Sequence, residues 1–297
     1  SLLLYLNHPN IIKIYEIIFI QETGEVHIVF EYTGNNLFEY NIQSTTSLSE
    51  EKPGFMNEIE IRNIINQILQ GLNYLHSKGI MHRDIKPENI LIKNGLILKI
   101  ADFGLAKEYH AINYIEKNSQ INKNSKKLIK KEHTDYVATR WYRAPEIILQ
   151  SKKYDNLVDI FSLGCIFAEL INNQPLFPGI NEEDQMNKYT ELLSTPSLSD
   201  WAEGYFLANK KGYFFQKEHT QNFLRSAIPR ANDLAIDLIG NMLSINPAKR
   251  FSAKECLQHP YFQVHNNLLA SVVSISEDTT ERLKKQKEKT EKTLKEG

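Results

Sequence analysis

The sequence is poor in cysteine, has no long apolar run and carries no excess charge of either sign. Its two cysteines, Cys165 and Cys256, have neither the spacing of a disulfide framework nor that of a zinc site, which predicts a reducing, intracellular compartment. No apolar stretch is long enough to span a membrane. Lysine plus arginine (35) nearly balance aspartate plus glutamate (36), so charge gives no reason to expect nucleic acid or a membrane as the main partner.

The chain also lacks an initiator methionine, and residues 1–6 are too short and too uncharged to form a signal peptide. We therefore expect the chain to begin inside a longer protein. Its 297 residues are enough for two domains or for one large domain with two lobes. The composition, 41% apolar and 24% charged, is that of a globular protein.

The apolar pattern predicts strands in the first third of the chain and almost only helices beyond residue 150. Residues 11–20 and 25–32 are rich in β-branched and aromatic side chains and predict two antiparallel strands. Apolar residues at helical spacing from Ile61 to Leu75 predict a long amphipathic helix that Gly79 ends. Further predicted elements are the end of a helix at 1–6, a short helix from Leu37, strands at 90–92 and 96–101, and helices at 158–171, 185–195, 232–243 and 252–258.

Two segments do not follow this order. Residues 107–133 contain seven lysines against three glutamates and predict a mobile loop. Residues 277–297 have too few apolar side chains for a coiled-coil seam, and we expect a solvated tail there.

The most informative stretch is residues 82–89, His-Arg-Asp-Ile-Lys-Pro-Glu-Asn, with Asp-Phe-Gly following at 102–104. Short loops with these residue types can bind the terminal phosphate of a nucleotide and supply the groups needed for its transfer. Asp84 can orient and deprotonate a hydroxyl, and Lys86 can neutralise phosphate charge. Asn89 and the aspartate at 102 supply the oxygen ligands that Mg²⁺ prefers. The alternative is that two tripeptides occur by chance in unrelated loops, but their order between predicted strands and helices argues against it.

A third motif, residues 133–146 (His-Thr-Asp-Tyr-Val-Ala-Thr-Arg-Trp-Tyr-Arg-Ala-Pro-Glu), resembles the activation segment of the eukaryotic Ser/Thr protein kinases that include the MAP kinases and the cyclin-dependent kinases. The similarity runs from residue 1 to about residue 262. Within that group the chain most resembles the male germ cell-associated and intestinal-cell kinases, through the motifs at 30–32, 61–63, 134–136, 176–179 and 200–205.

The resemblance implies roles for the residues at the site. Asp84 is expected to be the catalytic base, Lys86 to contact the transferred phosphate, and Asn89 and Asp102 to bind Mg²⁺ with ATP as the phosphate donor. Thr139 resembles the threonine that links the catalytic loop to the substrate-binding segment. For adenine, the residues implied by alignment are Phe30 behind the ring, backbone groups of Glu31 and Thr33, Leu91 beneath it, and Asn36 near the ribose.

Other residues are expected to hold the structure. His82 and Phe103 are expected to pack in the core, Glu146 to pair with Arg250, and Asp159 to tether the catalytic loop. Phe161 stands where related kinases usually have a tryptophan, a swap between aromatic side chains with little functional meaning.

Regulation is expected in the activation segment. Thr134 and Tyr136 are candidate phosphorylation sites, since arginine forks can order a phosphorylated loop. Arg83 would meet phosphate on Thr134, while Arg140 and Arg143 would meet phosphate on Tyr136. The resemblance also implies that Arg143 fits a preference for proline after the target Ser or Thr. The alternative is that both hydroxyl groups are exposed and never modified.

Three features of a kinase small lobe are absent from the sequence: a Gly-rich loop, the lysine of the third strand and the helix glutamate that pairs with it. We expect these to precede residue 1. The predicted fold is therefore α+β and bilobal, with 1–33 as the remnant of the small lobe, 34–262 as a complete, mainly helical large lobe and 263–297 as a charged tail. The 297 residues alone are expected to be nearly inactive.

The predicted protein is a monomeric, proline-directed Ser/Thr kinase with protein substrates and an upstream activating kinase, located in the cytoplasm, nucleus or cilium. The main alternative is a pseudokinase or docking module that binds partners through the large lobe and the lysine-rich insert at 107–133. The complete set of Asp84, Lys86, Asn89 and Asp102 argues against it. Nucleic-acid binding rests on that insert alone.

Overall fold

The computed structural model describes residues 2–46, 55–93, 97–109, 138–215 and 223–263. The chain divides into two compact units, Ser1–Leu257 and Gln258–Gly297. In the second unit residues 260–263 are helical. All the candidate site residues belong to the first unit.

A two-stranded antiparallel hairpin follows a short 3₁₀ helix at Leu2–Tyr5. Its strands are β1 (Ile14–Ile20) and β2 (Glu25–Phe30), and Gly24 supplies the positive φ of 72° that the connecting turn needs. Within the described residues the hairpin pairs with no third strand. Several of its apolar side chains are consequently exposed: Tyr15, Ile18, Phe19, Val26, Ile28, Val29 and Phe30.

The segment before the hairpin is tied by backbone hydrogen bonds to the strand that leads to Asp102. Ile12 N–H donates to Ile100 O (2.9 Å), and Ile100 N–H donates to Asn10 O (2.9 Å). The buried Asn10 amide also donates to Gln67 Oε1 and to Leu98 O, both at 3.0 Å. One asparagine thus joins the N-terminal segment, a helix and a strand.

The long predicted helix is α2 (Glu58–Ser77), which follows α1 (Leu37–Thr46). Asn57 caps its first turn by accepting from Glu60 N–H. The face that repeats at i, i+3 and i+4 is buried, and Gly79 (φ 71°) follows its last turn as expected.

Two short antiparallel strand pairs place the site motifs. Strand β3 (Ile80–Met81) pairs with β6 (Lys107–Glu108), and β4 (Ile90–Lys93) pairs with β5 (Ile97–Ile100). The motif at 82–89 lies between β3 and β4, and the motif at 102–104 follows β5 directly. The two strand pairs therefore bring both motifs to the same edge.

The described residues from 138 onward are mainly helical. Their helices are α3 (Pro145–Ile148), α4 (Leu157–Asn172), α5 (Glu182–Leu193), α6 (Ala202–Lys210), α7 (Leu224–Ala227), α8 (Asp233–Met242) and α9 (Ala253–Leu257). Every residue of α4 from Val158 to Ile171 is buried, as its apolar sequence predicts, and α4 packs against α2 and α8.

The expected ion pair between Glu146 and Arg250 is present and buried. Arg250 donates from its two terminal nitrogens to the two carboxylate oxygens of Glu146 at 2.7 and 3.0 Å. The Arg250 guanidinium also lies 5.0 Å from the centre of the Phe161 ring. The phenylalanine thus retains an aromatic surface for this cation, and the pair fixes α3 against the chain that leads into α9.

The sequence located most elements but not all of them. Helix α6, the short helices α3 and α7, and the two-residue strands β3 and β6 were not predicted, because they are too short or too weakly periodic to give a signal. The expected loop at 107–133 is wrong at its start, since Lys107 and Glu108 pair with Met81 and Ile80 in β6. Residues 110–133 lie outside the described residues. Within the described parts of the chain, no helix has the length and apolar character needed to cross a membrane.

Ser194, at the C-terminal end of α5, has φ 78° and ψ 152°, a backbone region that is essentially restricted to glycine. We expect Ser194→Gly to raise the free energy of unfolding by about 1 kcal/mol, because the relieved strain exceeds the added entropy of the unfolded chain. Ser199→Gly, in an exposed turn without positive φ, should lower it by about 0.5 kcal/mol. Urea denaturation measures both, and a destabilised Ser194→Gly protein would contradict the strain.

Candidate active site

The proposed base, Asp84, is held by the two other functional residues of its own loop. Its Oδ2 lies 3.1 Å from Lys86 Nζ, and it accepts from Asn89 Nδ2 at 3.0 Å. Asn89 Nδ2 also donates to the Asp84 carbonyl at 2.8 Å. Asp84 and Asn89 are both buried, with 8% and 6% of their surface exposed. The loop therefore fixes the carboxylate next to an ammonium group.

Asp159, on the buried helix α4, tethers this loop as expected. Its Oδ1 accepts from the Arg83 N–H at 2.7 Å, and its Oδ2 accepts from the His82 N–H at 2.8 Å and contacts His76 Nε2 at 2.9 Å. These bonds hold Arg83 at φ 71°, a region that non-glycine residues rarely adopt. Burial raises the pKa of Asp159, but the hydrogen bond and charge of His76 and the contacts with His82 leave it below its usual value.

His82 connects the two motifs. Its Nε2 lies 2.9 Å from Ala101 O, and its ring centre lies 5.1 Å from that of Phe103. Ala101 N–H donates in turn to Asn89 O at 2.9 Å. His82 is therefore buried in the core as expected, whereas Phe103 packs on it but is only half-buried. The backbone bond between Ala101 and Asn89 brings the residue before Asp102 next to Asn89.

Asp102 is exposed and left-handed, with φ 61° and ψ 72°, and its Oδ1 accepts from Gly104 N–H at 3.2 Å. Among the residues that the structure describes, no group of three or more His, Cys, Asp or Glu side chains could hold a metal ion. A site built from Asn89 and Asp102 alone fits Mg²⁺, which is usually bound by one or two protein groups plus phosphates and water. Because the Asn89 nitrogen donates to Asp84, its Oδ1 is the atom that would meet the metal.

The residues expected around adenine lie along one strip. The connector after β2 pairs with β4: Gly34 N–H donates to Ile92 O (3.0 Å), and Asn36 forms an antiparallel bridge with Leu91. Thr33 is half-buried within this connector. Phe30, at the end of β2, is 43% exposed.

Two residues of this strip have contacts that the sequence did not indicate. The Asn36 Oδ1 accepts from Glu39 N–H at 2.9 Å and so caps α1. The Glu31 N–H donates to Lys13 O at 2.9 Å, so the carbonyl of Glu31 is the backbone group that could meet adenine.

The side chain of Glu31 is the centre of a buried ionic network. Its Oε1 lies 2.7 Å from Lys99 Nζ and accepts from Lys13 N–H at 2.9 Å, and its Oε2 lies 2.6 Å from Lys93 Nζ. Burial opposes ionisation, but these hydrogen bonds lower the pKa of Glu31 to about 2. No local pattern indicates this network, because its members are up to 86 positions apart.

The activation segment is only partly described. Thr139 lies in the 3₁₀ helix Ala138–Tyr142, whereas Thr134 and Tyr136 lie outside the described residues. Arg83 donates from Nε to Leu105 O at 2.5 Å and from a terminal nitrogen to the Tyr154 hydroxyl at 2.8 Å.

The two arginines expected to meet phosphate on Tyr136 differ in exposure. Arg140 is buried and donates to Ile180 O at 3.0 Å, and Arg143 is half-buried. Reorientation of the Arg140 guanidinium would therefore be required for it to reach a phosphate.

Two carboxyl groups near the loop at 82–89, those of Glu88 and Glu169, form a further cluster that was not predicted. The Tyr142 hydroxyl donates to Glu169 Oε2 at 2.7 Å. Burial and the nearby charge of Glu88 raise the pKa of Glu169 to about 7, although the Tyr142 bond opposes this. Glu88 Oε2 is itself buried and has no hydrogen-bond partner among the described residues. Two carboxyl groups thus lie close together without a described cation.

Comparisons with known proteins agree with the geometry. The family model for "Protein kinase domain" matches residues 1–262. The chain is 41% identical over 281 residues to serine/threonine-protein kinase MAK of Mus musculus, covering 95% of this chain and 40% of that protein. Serine/threonine-protein kinase ICK of Mus musculus is 40% identical over 263 residues (89% and 37%), and cyclin-dependent kinase F-3 of Oryza sativa subsp. japonica is 41% identical over 261 residues (88% and 53%). The chain spans about two fifths to one half of the length of these relatives.

Glu169 should make stability depend on pH near neutrality. A carboxyl group whose folded pKa is raised binds more protons in the folded than in the unfolded state, so the free energy of unfolding falls as pH rises from about 4.5 to about 7. We expect Glu169→Gln, which can still accept from Tyr142, to remove this decline and to be more stable than the parent chain at pH 8 by about 2 kcal/mol.

Urea denaturation at pH 5 and pH 8 measures the effect. Glu203→Gln, at an exposed carboxylate that accepts from the Ser151 hydroxyl, serves as the control. Equal stability changes for Glu169→Gln at both pH values would show that Glu169 does not titrate in this range.

Proposed function

We propose, because the chain belongs to the protein kinase domain family, that its catalytic loop transfers the γ-phosphate of ATP to serine or threonine residues of protein substrates. The resemblance to the kinase group of MAP kinases and cyclin-dependent kinases, and to the germ-cell and intestinal-cell kinases within it, is confirmed by the matches to MAK, ICK and a cyclin-dependent kinase. The expected mixed fold, mostly helical and consistent with a bilobal kinase, is confirmed as well.

The observation that carries the proposal is the bonded set of Asp84, Lys86 and Asn89. Asp84 would accept the proton of the substrate hydroxyl as its oxygen attacks the γ-phosphorus and the bond to the β-phosphate oxygen breaks, releasing ADP. Lys86, 3.1 Å from Asp84, would stabilise the charge on the transferred group. Mg²⁺ held by Asn89 Oδ1 and Asp102 would supply charge neutralisation at the phosphates.

The adenosine end of ATP would lie against the adenine strip, which is formed by the connector after β2 and by strand β4. The Glu31 carbonyl and the Thr33 backbone would meet adenine, with Phe30 behind the ring, Leu91 beneath it and Asn36 near the ribose. The bridge between Asn36 and Leu91 supports this, since it places two of these residues opposite each other. Thr139 would link the catalytic loop to the bound substrate.

We further propose that residues 1–33 belong to a small lobe, 34–262 form the large lobe and 263–297 form a charged tail. Residues 1–297 contain no Gly-rich loop and no Val-Ala-x-Lys strand, the elements that hold the phosphates of ATP in kinases. Phosphate transfer by the 297 residues alone should therefore be very slow.

Substrate choice and regulation follow the same family reasoning. We propose a preference for proline after the target residue through Arg143, activation by an upstream kinase at Thr134 and Tyr136, and a monomer that acts in the cytoplasm, nucleus or cilium. A docking module without activity is the competing proposal, and the assay below separates the two.

The first test is transfer of labelled phosphate from ATP to a Ser-Pro peptide, for the 297-residue chain and for any longer natural product of the same coding sequence. In the longer protein, Asp84→Asn should lower kcat by about 10²–10⁴-fold with little change in Mg·ATP affinity, because only the base is lost. Asp233→Asn, at a side chain that is 98% exposed, is the matched control.

Three outcomes are informative. Steady phosphate transfer by the 297-residue chain, if abolished by Asp84→Asn, would contradict the proposed near-inactivity of this chain. It would still support the proposed kinase activity. A longer protein that neither binds Mg·ATP by calorimetry nor labels any protein would refute the kinase and favour the docking module. A Ser-Ala peptide labelled as well as Ser-Pro would refute the proline preference.

The second test concerns activation. We expect Thr134→Ala and Tyr136→Phe each to lower the activity of the longer, phosphorylated protein by about tenfold or more, because phosphate–arginine contacts order the activation segment. Arg83→Met should remove most of the response to phosphorylation, whereas Arg230→Met, at an arginine stacked on Phe55, should not. Phosphorylation is followed by mass spectrometry, and full activity without modified Thr134 or Tyr136 would refute the switch.

A further inference from the structure

The ion pair between Lys99 and Glu31 adjoins the adenine end of the proposed nucleotide site. Lys99 is directly opposite Leu91 in the ladder of β4 and β5, so the two side chains share a face. Lys93, two residues after Leu91 in β4, lies on that same face. The Glu31 carboxylate accepts from both lysines. The network therefore adjoins the residue proposed to lie beneath adenine.

Burial makes this network a fixed rather than a fluctuating contact. Lys99 is 8% exposed and Glu31 is 6% exposed. A buried ammonium group without its carboxylate would be strongly destabilised, so Lys99 and Glu31 hold each other in one arrangement. Lys93 is one-third exposed and contributes a weaker, more solvated contact to the same carboxylate.

Each partner of the ion pair is rigidly connected to one end of the site. Glu31 begins the connector that pairs with β4 through Gly34 and Ile92. Lys99 precedes Asp102 by three residues, and the intervening backbone is bonded at Ile100 and Ala101. A change at the ion pair therefore alters the spacing between the adenine strip and the carboxylate proposed for the metal.

We propose that Lys99 is a positioning residue for the nucleotide: through Glu31 it holds the adenine strip at a fixed distance from Asp102. The proposal rests on the proposed function, since it assumes that adenine lies on that strip and that phosphates lie at Asp102. Lys99 touches neither substrate nor metal in this role. It acts by keeping the adenine strip and Asp102 at a fixed spacing.

The discriminating measurement compares a ligand that spans both ends with one that occupies a single end. Mg·ATP reaches from the strip to Asp102, whereas adenosine contacts the strip alone. Lys99→Met should weaken binding of Mg·ATP by about tenfold and binding of adenosine by about twofold or less, because only the spanning ligand requires the correct spacing. A substitution that only destabilised the fold would weaken the binding of Mg·ATP and of adenosine by the same factor.

Titration calorimetry on the 297-residue chain gives both affinities. Lys13→Met is the matched control: Lys13 contacts Glu31 through its backbone, while its exposed ammonium group lies 5.6 Å from the Tyr15 ring. It should change neither affinity. If Lys99→Met does not fold, Lys93→Met should also weaken the binding of Mg·ATP more than that of adenosine, although the difference between the two losses should be smaller. Equal losses for both ligands, or no loss beyond that of Lys13→Met, would overturn the proposal.

Failure of the proposed function would be recognised separately. If the unmodified chain binds neither ligand, adenine recognition by this chain is refuted, and the spacing is tested by amide hydrogen exchange. Faster exchange at both 33–36 and 101–104 in Lys99→Met than in Lys13→Met, with α8 unchanged, would support the positioning role. Unchanged exchange at either segment would overturn it.

Discussion

A single buried carboxylate, that of Asp159, fixes the conformation on which the site depends. It is fully buried on α4 and accepts from two successive backbone N–H groups, those of His82 and Arg83. A free carboxylate at this depth would be very costly, so its contacts with the loop are also what allow it to be buried and ionised. The left-handed Arg83 backbone that results turns the chain so that Asp84 faces Lys86 and Asn89.

The mainly helical part of the chain provides the rigidity that this arrangement needs. Helix α4 is buried on all sides and packs on α2, which carries His76, the third partner of Asp159. The paired charges of Glu146 and Arg250 join α3 to the chain before α9. The loop that carries Asp84, the proposed base, is thus bonded to a helix that is buried on all sides, which suits the geometric demands of phosphate transfer.

The sequence predicted what is local and could not predict what is assembled from distant parts. Asp84, Lys86 and Asn89 lie within six residues and so form a recognisable motif. Helix α2 is predicted by its helical periodicity, and α4 by its nearly continuous apolar sequence. The ionic network around Glu31 and the cluster of Glu88, Tyr142 and Glu169 join residues that are far apart in the chain. The sequence alone does not indicate which charged residues will be buried next to one another. The same limit applies to Ser194, whose backbone conformation depends on how α5 meets the following chain.

The backbone bonds of Asn10 and Ile12 to Ile100 have a mechanical consequence. They attach the N-terminal segment alongside β5, parallel at Ile11 and Ile100, and β5 ends two residues before Asp102. A pull applied to the β1–β2 hairpin would load these hydrogen bonds in shear, the direction in which a strand pair resists best. Tension on the hairpin would thus be shared between the strand that leads to Asp102 and, through the Asn10 amide, helix α2.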